Sequence, residues 1–307
     1  MSIRRKKVAI KMPGSCGELV QGNIDSHNFL ITCPINLFSQ IKVCISKGND
    51  SIKCQPSTKW KSKRAIRKML EMFNEKDLRI SLKIKSEIPL SKGMASSTAD
   101  IVGSCIGIAK LLSRKISEYE IAQIALSIEP SDGIMFNGIV MFDYLEGKII
   151  KYLGSAPDMK ILAVDTGGTI NTLEFNKKDH RKIRLSQEKE IKRAIKLVEE
   201  GIKKKNCFLI GEGTTISAIL NQQILFKSEL DDIIKISKQQ GAFGVCVAHS
   251  GTVIGILLPS DFTDMHLLKK IIINKFNKQS KFYQLKLING GIYDNESNYH
   301  KIWRNRL

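Results

Sequence analysis

Apolar and polar residues alternate strictly between Leu78 and Lys85, which predicts a half-buried β-strand. The segment from Trp60 to Phe73 instead carries apolar residues at helical spacing on a basic background, and it predicts a surface helix. Other short apolar or alternating segments of the first half predict further strands, at Val8–Lys11, Phe29–Thr32, Ser39–Ser46, Ile139–Tyr144 and Lys148–Tyr152. The first half is therefore expected to combine a sheet with amphipathic helices.

The segment Gly154–Pro157 is the best boundary signal in the chain, because glycine and proline interrupt both kinds of periodicity there. It predicts two domains, residues 1–155 and 156–307, which suits the usual size of about 150 residues per domain. Beyond it the pattern predicts strands Met159–Val164, Gly244–Ala248, Thr252–Leu258 and Tyr283–Ile288, and helices at about Gln187–Lys205, Phe208–Leu220, Ser228–Gln240 and Phe262–Phe276. Helices and strands are therefore expected in both halves.

The formal net charge of +19 would suit nucleic acid, a membrane surface or anionic small molecules as partners. The lysines are scattered, so compositional bias together with attraction of a nucleotide explains the charge better, and no nucleic-acid partner is expected. No run of about 18 apolar residues occurs, so no membrane span is expected either. Seven cysteines without a C-x-x-C pair predict neither a disulfide framework nor a zinc site, and they favour a reducing compartment, the cytoplasm.

A loop of small residues, PLSKGMASSTAD, leads into an apolar helix. Gly93 permits unusual backbone dihedrals, and the small residues after it leave amides free at the first helical turn, where the helix dipole favours an anion. Ser96 and Ser97 add hydroxyls for phosphate oxygens or Mg²⁺, and Lys92 adds positive charge. The alternative is an ordinary N-cap on a core helix. The expected nucleotide contacts are Pro89, Leu90, Ser91, Lys92, Gly93, Met94, Ala95, Ser96, Ser97 and Thr98.

Three segments resemble, in order, the motifs of the GHMP kinases, the family of galactokinase, homoserine kinase and mevalonate kinase. PGSCGELVQG resembles the first motif, and PLSKGMASSTA resembles the second, with Met94 in place of the usual leucine. GAFGVCVAHSGTVIGILL takes the place of the third motif but departs from its usual glycine run. The resemblance implies ATP as phosphoryl donor and a two-domain α/β (α+β) fold. Its N-terminal domain would be ribosomal protein S5 domain 2-like and its C-terminal domain ferredoxin-like, with the site in the cleft between them.

Two carboxylates flank Pro130 in the segment SIEPSDG, which follows a predicted helix from Glu118 to about Ile128. Phosphoryl transfer needs a metal that bridges phosphate oxygens and a group that orients the attacking hydroxyl. The resemblance therefore assigns Mg²⁺ to Glu129 and Ser97, and the acceptor hydroxyl to Asp132, as an orienting group more than as a base. The alternative is a solvated helix end whose aspartate bonds its own backbone. The expected catalytic residues are Asp132, Glu129 and Ser97.

The sequences of five segments resemble those of the L-threonine kinases of adenosylcobalamin synthesis. These segments are SCGELVQG, KGMASSTAD, SIEPSDG, IGEGTTISAI and VAHSGTVIG. This resemblance implies L-threonine as the small-molecule acceptor, with Glu18, Thr169 and Ser250 as acceptor contacts. Homoserine is the alternative acceptor, and a non-catalytic GHMP homologue that binds a ligand is the alternative class. Nothing in the sequence determines the oligomeric state.

Overall fold

The structure is a computed structural model that describes residues 5–148, 150–168, 180–276 and 280–293. Its first half contains β1 (Lys6–Ile24), β2 (His27–Lys47), β3 (Ser51–Gln55), α1 (Trp60–Phe73), β4 (Leu78–Ser86), α2 (Ser96–Leu111), α3 (Glu118–Leu126), β5 (Ile139–Phe142) and β6 (Ile150–Gly154). Its second half contains β7 (Met159–Asp165), α4 (Arg181–Ser186), α5 (Glu188–Lys204), α6 (Cys207–Asn221), α7 (Leu230–Gln239), β8 (Gly244–Val247), β9 (Val253–Pro259), α8 (Met265–Phe276) and β10 (Lys281–Lys286).

The strands form one ten-stranded sheet with the order β10-β7-β9-β8-β1-β2-β4-β3, while β5 pairs with β2 and β6. The last four strands of the chain pair antiparallel in the order β10-β7-β9-β8, with helices between them, as in a ferredoxin-like layer. Glu18 of β1 pairs with Val247 of β8 and joins the two halves of the sheet. The expected mixed α/β class is confirmed, and the boundary at residue 155 stays a prediction.

The first two strands form one long hairpin, where the sequence predicted three short strands. The register shifts between Pro13 and Gly14 and again on both sides of Glu18, so bulges keep the whole first motif within β1. Bulges explain the error, because a bulged strand loses the alternation on which a strand prediction depends.

The helices follow the prediction more closely. The bounds of α1 are those predicted, and α3 opens with a capping box in which the Ser117 hydroxyl accepts from the Glu120 amide and the Glu120 carboxylate accepts from the Ser117 amide. The apolar helix α2 is buried along nearly its whole length and packs on β1 and β2. This packing fixes the start of α2, where the small-residue loop arrives. In the described ranges, no helix combines the length and the apolar character needed to cross a membrane.

Candidate active site

A cleft of about 590 Å³ opens in front of the start of α2. The small-residue loop forms one wall, the start of α1 a second, and the segment after α3 a third. The lining includes the following residues that the sequence predicted: Glu18, Pro89, Leu90, Ser91, Gly93, Met94, Ala95, Ser96, Ser97, Thr98, Glu129, Asp132 and Ser250. The fold thus brings predicted nucleotide, metal and acceptor residues to one place.

The first turn of α2 faces this cleft without a side-chain cap. Its N-cap residue is Ala95, which lies in the left-handed region at φ 59° and makes no capping hydrogen bond through its side chain. The Ser96 hydroxyl is buried and has no hydrogen-bond partner within the described parts of the chain. Uncapped amides and an unsatisfied buried hydroxyl fit the phosphate groups of a nucleotide better than they fit an ordinary capped helix.

The loop before α2 lies directly against the third motif. Gly93 has φ 72°, and a Cβ atom built on it would lie 2.6 Å from Cβ of Ala248 and 2.9 Å from Cα of Gly251. Both the dihedral and the contact therefore require glycine at position 93. The second and third motifs, more than 150 residues apart along the chain, form a single surface here.

Glu129 and Ser97 meet on the opposite side of the helix start. The Ser97 hydroxyl donates a hydrogen bond to Oε1 of Glu129, while the Lys61 ammonium lies 2.5 Å from Oε2. Glu129 is only 8% exposed, so this ammonium compensates a nearly buried charge. A carboxylate and a hydroxyl in contact are the hard oxygen donors that Mg²⁺ prefers, and the pair fits that ion.

Asp132 and Glu18 form a second, deeper pair of carboxyl groups. Burial raises the pKa of Glu18 well above its usual value, and the charge of Asp132 raises it further. Burial also raises the pKa of Asp132, which Glu18 partly offsets. The Thr98 hydroxyl donates to Oδ2 of Asp132 over 3.4 Å. Two adjacent buried carboxyls do not both ionise readily, so this arrangement favours the protonated form of Glu18.

Asp100 does not compete with an anion in the cleft, although it follows the loop directly. Its carboxylate accepts hydrogen bonds from Ser39 and from the Lys59 ammonium, each at 2.5 Å. Burial raises the pKa of Asp100, and these two hydrogen bonds oppose the rise. The bonded pair ties α2 to α1 and to β2.

Two of the predicted site residues, Lys92 and Thr169, are not found in the lining of the cleft. The Lys92 ammonium lies 2.9 Å from Oδ1 of Asp165 and donates to the Gly168 carbonyl at 2.6 Å, so it bridges to the second half and is not part of the cleft lining. Thr169 lies outside the described residues. Ser250 does line the cleft.

Several residues that line the cleft were not predicted as site residues from the sequence. Thr58, Lys59, Trp60, Lys61 and Ser62 all face the cleft from the start of α1. The amphipathic pattern of α1 indicates a helix with a basic surface, and only the packing of α1 beside α2 shows that its first turn faces a site.

His249 closes the inner end of the cleft. Its Nδ1 atom lies 2.9 Å from Oε1 of Gln21, and its ring meets Tyr144 edge-on at a centroid distance of 4.7 Å. Burial lowers the pKa of His249 well below its usual value, and the positive charges of Arg184 and Lys227 lower it further. His249 is therefore a neutral imidazole on the lining of the cleft.

Comparison with known proteins identifies the family. Residues 61–138 match the family described as GHMP kinases N terminal domain. An L-threonine kinase of Citrobacter freundii is 30% identical over 268 residues, which covers 86% of this chain and 90% of that protein. The chain belongs to the GHMP kinases. An L-threonine kinase of Salmonella typhimurium is 29% identical over 91% of this chain and 93% of its own length.

Solved structures of other GHMP kinases share the fold. A homoserine kinase from Cytophaga hutchinsonii superposes with a TM-score of 0.72 at 16% identity, covering 94% of this chain and 97% of that chain. The mevalonate kinase of Methanococcus jannaschii superposes with a TM-score of 0.68 at 17% identity, covering 92% and 99%. At this identity the likeness concerns the fold alone. The family match and the two curated relatives show that this GHMP kinase is a small-molecule kinase.

Proposed function

We propose that this GHMP kinase transfers the γ-phosphoryl group of ATP to the side-chain hydroxyl of L-threonine and releases O-phospho-L-threonine. The observation that carries the proposal is the match to two curated L-threonine kinases over about nine-tenths of their length. The cleft supports it, because it joins an uncapped helix start to a deep carboxyl pair. The product would feed the aminopropanol arm of adenosylcobalamin synthesis, and the seven free cysteines fit a cytoplasmic location.

On the nucleotide side, the loop from Pro89 to Thr98 binds the phosphate groups of ATP through the amides of the first turn of α2. Ser97 and Glu129 are the residues that would hold Mg²⁺, and a bound Mg²⁺ supplies positive charge to the phosphate oxygens. Lys61 already lies beside Glu129 and adds a second positive charge at this point. Such positioning and charge stabilisation account for most of the catalysis of phosphoryl transfer.

On the acceptor side, Asp132 orients the threonine hydroxyl for in-line attack. Asp132 accepts a hydrogen bond from Thr98, a residue of the phosphate-binding turn. This contact keeps the orienting carboxylate at a fixed position relative to the phosphate site. Glu18 lies beside Asp132, and the charge of Asp132 raises the pKa of Glu18. Glu18, Ser250 and Thr169 are the proposed contacts of the amino-acid backbone of the acceptor.

Homoserine is the second candidate acceptor, because a curated homoserine kinase of Clostridium acetobutylicum is 24% identical over 74% of this chain. Its hydroxyl is one carbon farther from the amino-acid backbone than that of threonine. A site that fixes the backbone and the hydroxyl together therefore distinguishes the two acceptors. Serine differs by a single methyl group, which an apolar pocket distinguishes by only about 1–3 kcal/mol, so serine should be a poor substrate and not an inactive one.

The test is ADP release by the purified protein with ATP, Mg²⁺ and each of L-threonine, L-serine, L-homoserine, mevalonate and galactose, with product identity established by mass spectrometry. We expect the highest kcat/KM with L-threonine. A preference for homoserine would overturn the threonine assignment and leave the family intact. Absence of ADP with every alcohol would favour a ligand-binding homologue without catalytic activity.

A further inference from the structure

One face of the sheet in the first half of the chain is exposed and strongly basic. Helix α2 packs on the other face, where buried residues such as Ile41 and Leu82 alternate with the exposed ones. The exposed face belongs to four neighbouring strands, β1, β2, β4 and β3. Seven exposed basic residues on it form the basic face, namely Lys7, Lys11, Lys42, Lys53, Arg79, Lys83 and Lys85.

The strand register places these side chains next to one another. Lys42 of β2 lies directly opposite Lys83 of β4, which brings their Cα atoms to within about 5 Å. Lys53 of β3 pairs with Ser81, the residue between Arg79 and Lys83 on the same face of β4. Like charges directly opposite each other destabilise a sheet. An anion that lies across the strands would remove this repulsion.

Acidic side chains do not compensate the charge of the basic face. The remaining outward positions among the seven basic residues hold only small or neutral side chains, namely Ala9, Gln40, Cys44, Ser46, Ser51, Gln55 and Ser81. In the parts of the chain that the structure describes, no carboxylate forms an ion pair with any of the seven. Glu87 and Asp50 lie just beyond the strand ends, where each accepts a hydrogen bond from a backbone amide.

This clustering is visible only in the folded chain. The expectation of no nucleic-acid partner rested on lysines that are scattered along the sequence. Alternation along each strand and pairing between strands gather seven basic residues on one surface. A surface with charge of a single sign is the electrostatic footprint of a site for a polyanion.

The side chains of the basic face suit contacts with phosphate groups that do not depend on base sequence. Six of the seven are lysines, which bind phosphate as point charges and lack the planar fork with which arginine reads guanine. No aromatic side chain lies at the positions between them, although stacking on aromatic rings is how proteins bind unpaired bases. No large apolar side chain lies there either, and such side chains insert into a bilayer when a protein binds a membrane surface.

The twist of the sheet distinguishes a double helix from a flat membrane. Adjacent strands are rotated by about 20–25° relative to each other, so the four strands of the basic face turn by roughly 60–75° from first to last. A flat bilayer contacts only part of a surface that turns in this way. The phosphate rows of a double helix wind around its axis and can follow the turn.

We propose that the basic face binds the phosphate backbone of double-stranded nucleic acid without base-sequence preference. The basic face lies on the side of the sheet away from α2, and none of its residues lines the cleft. Binding there is therefore a second activity, separate from the proposed phosphoryl transfer.

The experiment measures the binding of the full chain to a labelled duplex of about 20 base pairs, as DNA and as RNA, by fluorescence anisotropy from roughly 50 to 200 mM salt. We expect a Kd of about 1–100 μM at physiological salt and a slope of log K against log salt between about −4 and −6. A single strand of the same length should bind more weakly, because its charge density is lower.

Paired variants locate the contact. Lys42→Gln combined with Lys83→Gln should raise Kd roughly 10-fold or more and make the salt slope less steep by about 2, one for each phosphate contact that is lost. Lys189→Gln combined with Lys235→Gln is the matched control, because it removes the same charge at exposed lysines of α5 and α7. The control should bind duplex as the unmodified protein does. Thermal unfolding should show the Lys42 and Lys83 variant at least as stable as the unmodified protein, since a like-charge pair is gone.

Other outcomes would overturn the proposal. Equal weakening by both pairs of substitutions would show that net charge alone attracts the duplex. Tighter binding to vesicles of phosphatidylserine and phosphatidylcholine, or to polyglutamate, would assign the basic face to a membrane or to an acidic protein. Tighter binding to the single strand would show contacts with bases, and the absence of duplex binding at physiological salt would remove the site altogether.

ADP release keeps this site distinct from the proposed function. Both pairs of substitutions should leave kcat/KM for threonine unchanged, because the substituted lysines lie outside the cleft. Loss of duplex binding with normal kinase activity in the unmodified protein would overturn only the nucleic-acid site. Duplex binding at the basic face without ADP release on any alcohol would support the nucleic-acid site and overturn only the kinase assignment.

Discussion

The Ser97 hydroxyl donates a hydrogen bond to the Glu129 carboxylate, although the two residues are 32 positions apart in the chain. The second oxygen of this carboxylate lies 2.5 Å from the Lys61 ammonium. A hydroxyl from the first turn of α2, a carboxylate from the segment after α3 and a cation from α1 thus meet at one point.

Glu129→Gln should raise the Mg²⁺ concentration at half-maximal activity by about 10-fold or more, because the amide keeps the shape but removes charge from the cation's shell. KM for threonine should change little. The measurement is a Mg²⁺ titration of ADP release at saturating ATP. Glu190→Gln, at a partly exposed glutamate of α5, is the control. A titration of Glu129→Gln that overlays that of the unmodified protein would show that Glu129 does not bind the metal.

Gly93→Val should abolish most nucleotide use, because the side chain would strike Ala248 and Gly251 and the backbone would be strained by about 1–3 kcal/mol. Gly241→Val is a matched control, since Gly241 has a similar φ of 76° and no atom lies within 4 Å of an added Cβ. Both variants carry the strain, and only Gly93→Val should lose ATP binding. Normal KM for ATP in Gly93→Val would refute the phosphate-loop assignment.

Asp132→Asn should lower kcat by about 100-fold or more and raise KM for threonine much less. The amide retains the size of the side chain but orients the attacking hydroxyl poorly and accepts no proton. Steady-state kinetics with varied threonine at saturating ATP separates the two constants. If KM changes and kcat does not, Asp132 binds the ground state only.

The stability of the protein should depend on pH through Glu18. Because burial raises the pKa of Glu18 above its unfolded value, the folded state binds more protons, and the free energy of unfolding falls as pH rises from about 4.5 through the folded-state pKa. Glu18→Gln should therefore show a smaller fall. Its free energy of unfolding, compared with that of the unmodified protein at the same pH, should be more favourable at pH 8 than at pH 5. Urea unfolding at several pH values measures it, and parallel profiles of the two proteins would contradict the prediction.

Lys92→Met should reduce stability by about 3 kcal/mol, because it leaves the buried Asp165 without its cation. KM for ATP should change little, since the ammonium points to the second half of the chain and not into the cleft. Lys85→Met, at an exposed lysine of β4, controls for the lost charge. A large rise in KM for ATP at unchanged stability would place Lys92 on the phosphates.

The sequence by itself determined the elements whose signals are local. The bounds of α1, the capping box of α3 and the alternation of β4 follow from spacing and capping chemistry within a few residues. The family motifs, above all PLSKGMASSTA, likewise indicated the phosphate loop and the family, because the chemistry of a helix start lies within one short segment. Strand β3 and helix α4 carry no comparable signal and were not predicted.

Only the tertiary structure decided the relations between distant segments. The bulges of β1 arise from pairing with β2, and they turn Glu18 toward Asp132. Lys61 is a surface lysine by its helical pattern, and it becomes a partner of Glu129 because α1 packs beside α2. Arg184 and Lys227 are ordinary basic residues in the sequence, and only folding buries them. The physical reason is that burial and charge pairing depend on contacts between segments far apart, which no local pattern encodes.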